Sequence, residues 1–391
     1  MAVTLTSADA ALKSVYLDVV AEQLNTKVNP FMAQIRKTTD DVWGKEVRKL
    51  VTYGLNNGVG VGSEDGNLPK AGANKYKQFV ISLKNLYGTL EISDKAIRAS
   101  SNSEGAFVNL LNAEMEGLVK SSNMNFSRML FGDGTGIIGK GNYYSSNAIS
   151  LVKGMMKDFV EGMALDFITA DGEIIESESN RIVTSLDEEN NCIYLSGPAL
   201  NESLLTEEFS IVPSGTYNAE ITGLGKIFDT ESQTLYGVDR ASNKWMNPTI
   251  KTVNKISEIE LQKVIDDIEY ASGETPNFIV CSFGVRRALQ KMFSENHTKI
   301  DTMTLNGGYT TMSYNGIPIV ADRYCPTGTL YLLNTNDFNL HQLCDWQWLS
   351  DDDGRVLKQI PGKPVYTATL VKYAELLCSR PCGQGKMAAP H

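Results

Sequence analysis

Apolar positions recur at helical spacing in one long stretch of the chain. Phe107, Leu111, Met115, Leu118, Phe126 and Met129, with Ser122 between, form a single stripe, which predicts a helix over 102–131. Ser101 and Glu104 make a capping-box pair at its start, and Gly132-Asp133-Gly134 stops it. At about 1.5 Å per residue, some 28 residues span roughly 42 Å. Asn109, Glu116, Lys120 and Asn123 are read as the polar side.

Upstream the periodicity changes. Ser7 to Leu24 carries Leu12, Val15, Val19 and Val20 on one side, and Asn29-Pro30 ends that helical pattern. One short amphipathic helix followed by irregular chain cannot bury itself, so residues 1–44 read as an arm that lies on something else. Residues 45–92 alternate. Lys45–Tyr53 forms one limb of a predicted hairpin and Tyr76–Ile92 the other, with Phe79, Ile81 and Leu83 on one face. The twenty residues between, LNNGVGVGSEDGNLPKAGAN, are rich in Gly and Asn. So long a loop suits a hairpin that projects to meet another molecule better than a compact domain.

Downstream, Ala164–Thr169, Arg181–Asp187, Cys192–Ser196 and Phe209–Val212 read as short strands between acidic or Asn-rich turns, predicting a small β insertion over 151–213. Mixed α/β pattern follows. Ser257 and Glu260 make a second capping box ahead of Leu261, Val264, Ile265 and Ile268, and Gly273 ends that helix. Asn277–Ser282 is a buried strand, Val285, Leu289 and Phe293 mark another helix, and Asn315-Gly316 is a two-residue hairpin turn. The strands Thr329–Leu333, Phe338–Cys344, Val356–Ile360 and Val365–Leu377 complete the reading.

The chain has 391 residues and a formal net charge of −10. Its length predicts two or three folded units. The acidic balance argues against tight sequence-independent binding of nucleic acid, which needs cations at phosphates. It is compatible with lining a space that holds mobile DNA. Charge is unevenly spread: positions 45–84 hold seven basic and three acidic residues, a net +4 on an otherwise acidic chain. No apolar run reaches the roughly 18 residues of a membrane helix. The N-terminus lacks a basic and then apolar secretory pattern, so a cytosolic product with reduced cysteines is expected.

The order of arm, projecting hairpin, long helix, α/β block and closing antiparallel strands resembles the Hong Kong 97 type of phage major capsid protein. The stretch YNGIPIVADRYCPTGTLYLLNTNDF (314–338) is similar to the family's G-I-P-V strand and the turn and strand after it. YTATLVKYAELLCSRPCG (366–383) is similar to its closing strand, which ends near an Arg-Pro pair, here Arg380-Pro381. GLGKIFDTESQTLYGVDR (223–240) is similar to members that carry an insertion. The resemblance implies an α+β fold with an N-arm (1–44), an E-loop hairpin (45–92), a P-domain (93–150 and 337–373) holding the spine helix 102–131, the β insertion domain (151–213), and an A-domain (214–336 and 374–391).

It further implies a head protein that self-assembles as hexamers and pentamers into an icosahedral shell around double-stranded DNA. Assembly in the host cytoplasm would leave the chain in the virion. The portal protein, a separate scaffolding protein, and decoration or minor capsid proteins are the expected partners, with no membrane, cofactor or metal. The sequence opens near the arm, without the long charged scaffolding segment that some members carry, which implies a separate scaffolding protein or a chain numbered without that segment, and Met1 favours the first. Lys70, Lys75 and Lys77 are the expected intersubunit contacts of the E-loop. An encapsulin-like nanocompartment is the alternative. Covalent Lys–Asn cross-links, known in one branch, are not expected here.

Other chemistry is weaker. Gly58-Val-Gly-Val-Gly62 lacks the following helix a phosphate loop needs. His341-x-x-Cys344 and Cys378-x-x-x-Cys382 do not have zinc-ribbon spacing, and strict alternation puts His341 and Cys344 on opposite faces of a strand. His297, His341 and His391 are the only histidines and show no nucleophile constellation, so a nucleotide-binding or hydrolytic enzyme is the remote reading. Trp346 and Trp348 share a strand face and read as packing.

Overall fold

The computed structural model describes residues 29–96, 104–205, 207–295, 301–304, 310–350 and 356–388. The predicted helix at Ser7–Leu24, the first capping box at Ser101, His297 and His391 lie outside them. Two compact units form: Arg128–Lys226, and the rest of the chain.

The larger unit contains two main sheets. In one, the long strands Phe338–Trp348 and Val365–Cys378 pair antiparallel, Phe338 opposite Cys378. On the other side of Val365–Cys378 runs Lys84–Ser93, in unbroken register from Lys84–Ala374 to Ser93–Val365. This corrects the single second limb read over Tyr76–Ile92: the chain turns at Leu83, whose N–H donates to Lys45 O at 2.9 Å. Lys75–Ser82 stays with the hairpin, while Lys84–Ser93 joins the large sheet. Neither Gly nor Pro interrupts the sequence there, and the break shows only as a change of phase, from Phe79, Ile81 and Leu83 at odd positions to Leu86, Leu90 and Ile92 at even ones.

The arm reading is also corrected over its described part. Arg36–Thr38 pairs parallel with Asn339–His341. Phe31, Met32 and Ile35 are buried, and the Phe31 ring meets Phe338 edge-on at 5.4 Å. Residues 29–38 therefore add a strand to the subunit's own sheet. The predicted strand at Val356–Ile360 shrinks to Lys358–Gln359, and Phe338–Cys344 extends to Trp348.

The long helix spans Glu104–Met129. Its buried line runs through Met115, Val119, Asn123 and Phe126, so Asn123 belongs to the inner side and not, as read, to the polar one. The i, i+4 spacing from Met115 carries it there whatever its polarity. The helix lies close on the sheet at Gly88, where a Cβ would stand 3.0 Å from both Leu118 Cδ1 and Ser122 Oγ. Beneath it Lys372 is 1% exposed. Its ammonium is 2.5 Å from Asp345 Oδ1 and 3.0 Å from Gln342 Oε1, with the Phe126 and Trp346 rings at 5.5 and 5.9 Å. Asp345 also receives Lys37 of the first strand at 2.7 Å.

The second sheet has seven strands, in the order Thr249–Thr252, Gly385–Ala388, Thr329–Leu333, Phe278–Cys281, Ile317–Ala321, Thr310–Tyr314 and Asp301–Thr304. The helices Glu258–Ser272 and Phe283–Glu295 bury Leu261, Val264, Ile265, Ile268, Val285, Leu289 and Phe293 into its core. The local signals act as read except that only the Ser257 half of the capping box forms, the Glu260 carboxylate pairing with Lys251. Ser257 Oγ accepts the Glu260 N–H at 3.2 Å, Gly273 ends the helix with φ +76°, and Asn315 and Gly316 both take positive φ in a two-residue turn.

The smaller unit is a closed six-stranded antiparallel barrel: Gly139–Ser145, Ala148–Leu151, Ala164–Ile168, Arg181–Asp187, Cys192–Leu195 and Phe209–Pro213. The predicted insertion boundary at 151 is therefore too late. The first two strands, placed in the 93–150 segment, complete the barrel. Gly139-Lys-Gly-Asn-Tyr-Tyr-Ser145 shows little strand pattern because its first two inward positions, 139 and 141, are glycines. Gly141 must be one, since a Cβ there would meet Ser150 O at 2.7 Å. Ile149, Leu165, Phe167, Val183, Ile193 and Ile211 fill the barrel, all at most 1% exposed. At its base Arg128 pairs with buried Glu220, and Leu224 N–H donates to Leu130 O at 2.8 Å.

Candidate functional site

The hairpin Glu46–Tyr53/Lys75–Ser82 is the candidate contact element. Its register sets Val47 against Ile81, Lys49 against Phe79, Val51 against Lys77 and Tyr53 against Lys75, all on one face. At the base that face is anchored. Phe79 is fully buried, tilted against Tyr236 at 5.4 Å and stacked on Trp245 at 6.0 Å. Tyr53 stacks on Trp245 at 5.2 Å, and Val80 N–H donates to Tyr236 O at 3.1 Å. Tyr236 in turn accepts the Cys378 N–H through its hydroxyl at 3.1 Å. Burial raises the pKa of that phenol, so it stays neutral. The anchor residues Tyr236 and Trp245 were not singled out from the sequence. Their only signal is two aromatics in a segment otherwise rich in turns.

Beyond Tyr53 the situation reverses. Every residue from 54 to 74 is exposed except half-buried Gly58. Leu55, Val59, Val61 and Leu68 are at least 88% exposed, and on the hairpin's outer face Leu50, Tyr76 and Val80 are open as well. The loop holds its shape by local means. Asn56 Nδ2 donates to Asn74 Oδ1 at 3.3 Å, Gly58 N–H to Asn56 Oδ1 at 2.8 Å, and the two limbs cross where a Cβ on Gly72 would stand 2.3 Å from Gly58 N. Lys70 lies in this loop. Lys75 and Lys77 project from one face of the strand, and all three are exposed. None makes an ion pair among the described residues. A loop presenting four exposed aliphatic side chains and unpaired ammonium groups is suited to covering another protein surface.

The other candidates dissolve into structure. Gly58–Gly62 sits in that exposed loop and leads into a strand. At His341 a bulge between Gln342 and Cys344 puts Cys344 opposite Tyr373, two residues from His341's partner Glu375. Cys344 thus returns to the His341 face, against the expected alternation. Cys378 falls on the opposite face, and no group of three metal-binding side chains forms among the described residues. His341 is buried, its Nδ1 3.0 Å from Asp40 O, and burial holds its pKa down. Burial likewise raises the Cys281 thiol to about 12 and drives Cys378 upward, which makes both poor nucleophiles. Trp346 and Trp348 are buried side chains of the large sheet.

No protein-family model matches the sequence, and no curated protein does. Among solved structures the chain is similar to the capsid asymmetric unit of cyanophage A-1(L), with TM-score 0.53 and 10% identity over 94% of this chain and 92% of that one. It also aligns with an encapsulin complex from Synechococcus elongatus at TM-score 0.47 and 10% identity, over 95% and 94% of the two chains. The capsid of Myoviridae phage XM1 aligns at TM-score 0.45 and 9% identity, over 93% and 92%. The chain has the α+β Hong Kong 97-like fold.

Proposed function

We infer that this protein is a shell subunit, the major capsid protein of a tailed phage, whose copies form hexamers and pentamers that close around double-stranded DNA. The observation that carries the reading is the hairpin loop. Its aliphatic residues are left in solvent by their own subunit, on a fold shared over nearly the whole chain with a phage capsid subunit. A monomer gains nothing from that exposure, whereas repeated contacts between copies bury it.

In this reading the hairpin is the E-loop and Lys70, Lys75 and Lys77 contact the neighbouring copy. The work is mechanical and no catalytic group takes part. Portal, scaffolding and decoration proteins are the remaining partners, with assembly in the host cytoplasm. Negative-stain microscopy of the chain co-expressed with its neighbouring genes tests this. Closed shells of uniform size are the expected result, and a dispersed monomer at high concentration in every condition would end it. Shell contents separate a phage head, filled with DNA, from the compartment reading, which requires a protein cargo.

A further inference from the structure

We propose that the hairpin docks on the β-barrel of a second copy of this chain, held by opposite charge. The proposal rests on the shell reading and adds the surface that receives the loop. Its ground is where the charge lies once the fold is known. Residues 128–226 hold six basic and fifteen acidic side chains, a net −9. Positions 45–84 carry +4, and the remainder of the chain −5. The acidity opposite the hairpin's charge is thus concentrated in about a quarter of the chain.

Two further features favour the barrel. Asp171, Glu173, Glu176, Glu188 and Glu189 are exposed and make no ion pair among the described residues. The acids inside the unit are already used: Glu178 pairs with Arg181, Glu220 with Arg128, and Asp166 accepts the Asn180 and Gly215 N–H groups, each at 2.8 Å. The barrel also exposes Ile174 and Ile182 at 39% and 45%, apolar area that can cover part of Leu55, Val59, Val61 and Leu68. Charge complementarity chooses partner and register, and apolar contact then supplies the burial.

Two experiments on the full-length protein test the docking. First, an equimolar mixture of isotope-labelled and unlabelled chains is coupled with a carbodiimide, which joins a lysine amine to a carboxylate with loss of water. Mixed-isotope peptides linking Lys70, Lys75 or Lys77 to Asp171, Glu173, Glu176, Glu188 or Glu189 are expected. Links only to carboxylates outside 128–226, or none, overturn the proposal. Second, K70E/K75E/K77E and D171K/E173K/E176K should each slow assembly, followed by light scattering at low salt, by about tenfold or more, while the combined six-residue variant recovers. A combined variant no faster than the slower triple variant, with parent-like thermal unfolding, also overturns it. Shells that form equally well with either reversal sink the docking alone. A parent chain that never forms shells sinks the shell reading, while the coupling pattern still decides the docking.

Discussion

Gly139 stands directly opposite Ile211 in the pairing of the barrel's first and last strands. The chain therefore enters and leaves this unit at adjacent points, and just outside it Asn218 N–H donates to Thr135 O at 2.9 Å. With a core of its own, the barrel has the anatomy of an insertion that can be lifted out.

Joining Thr135 to Asn218 through two glycines removes the barrel and keeps both the Arg128–Glu220 pair and the Leu130–Leu224 bond. The shortened chain is expected to stay soluble and to keep a cooperative thermal transition by circular dichroism. Wholly insoluble product beside a soluble parent would show that the barrel belongs to the main folding unit.

Two glycines near the long helix should respond in opposite directions. Gly88→Val forces a branched side chain against Leu118 and Ser122, and overpacking of this kind costs about 1–3 kcal/mol. Gly117→Ala is expected to stabilise by about 0.5–1 kcal/mol, because Gly117 sits mid-helix with open space around its Cβ position. Urea midpoints compare the two, and equal effects would contradict the close approach at Gly88.

What could be read in the sequence was local. Ser257 and Gly273 bound a helix by satisfying its own terminal groups, and Asn315-Gly316 forces its turn through backbone conformation alone. Pairing between distant segments carried no such signal. Arg36–Thr38 joins Asn339–His341 across some three hundred residues, and the Gly139–Ser145 strand hides its role behind glycines that the barrel interior requires. The hairpin was legible as a projecting element and its three lysines as exposed. Its Trp245 anchor and the concentration of acid in 128–226 needed the fold, and the split at Leu83 showed only as a change of phase in the alternation.

Lys372 and Asp345 form an asymmetric pair. Burial lowers the lysine's pKa despite its partner. Burial would raise the carboxyl, but Lys372 and Lys37 outweigh it and bring it down to about 2. Asp345→Asn strands a buried ammonium and should cost about 3–5 kcal/mol, read from chemical denaturation at neutral pH. Because the folded carboxyl has the lower pKa, its contribution is complete above about pH 4 and is lost as pH falls toward 2. The Asn variant should therefore lose less stability than the parent over that acid window. A parallel decline in both would remove Asp345 as the source.

The hairpin makes opposite demands on its two ends. Phe79→Ala empties a fully buried site beside Tyr236 and Trp245, and truncations of this kind cost about 3–5 kcal/mol. Replacing Leu55, Val61 and Leu68 together by Ser removes comparable apolar area from side chains already in water, so the unfolding free energy of the unassembled subunit should move by no more than about 0.5 kcal/mol. Shell formation should respond in the reverse order per unit of stability lost: the serine variant keeps its monomer and fails to assemble. Denaturant melts of the dispersed chain and sedimentation of the assembly reaction give the two readings. A serine variant that unfolds as readily as Phe79→Ala would mean the loop packs on its own subunit. One that assembles like the parent would leave the exposed aliphatic side chains without the intersubunit role assigned to them.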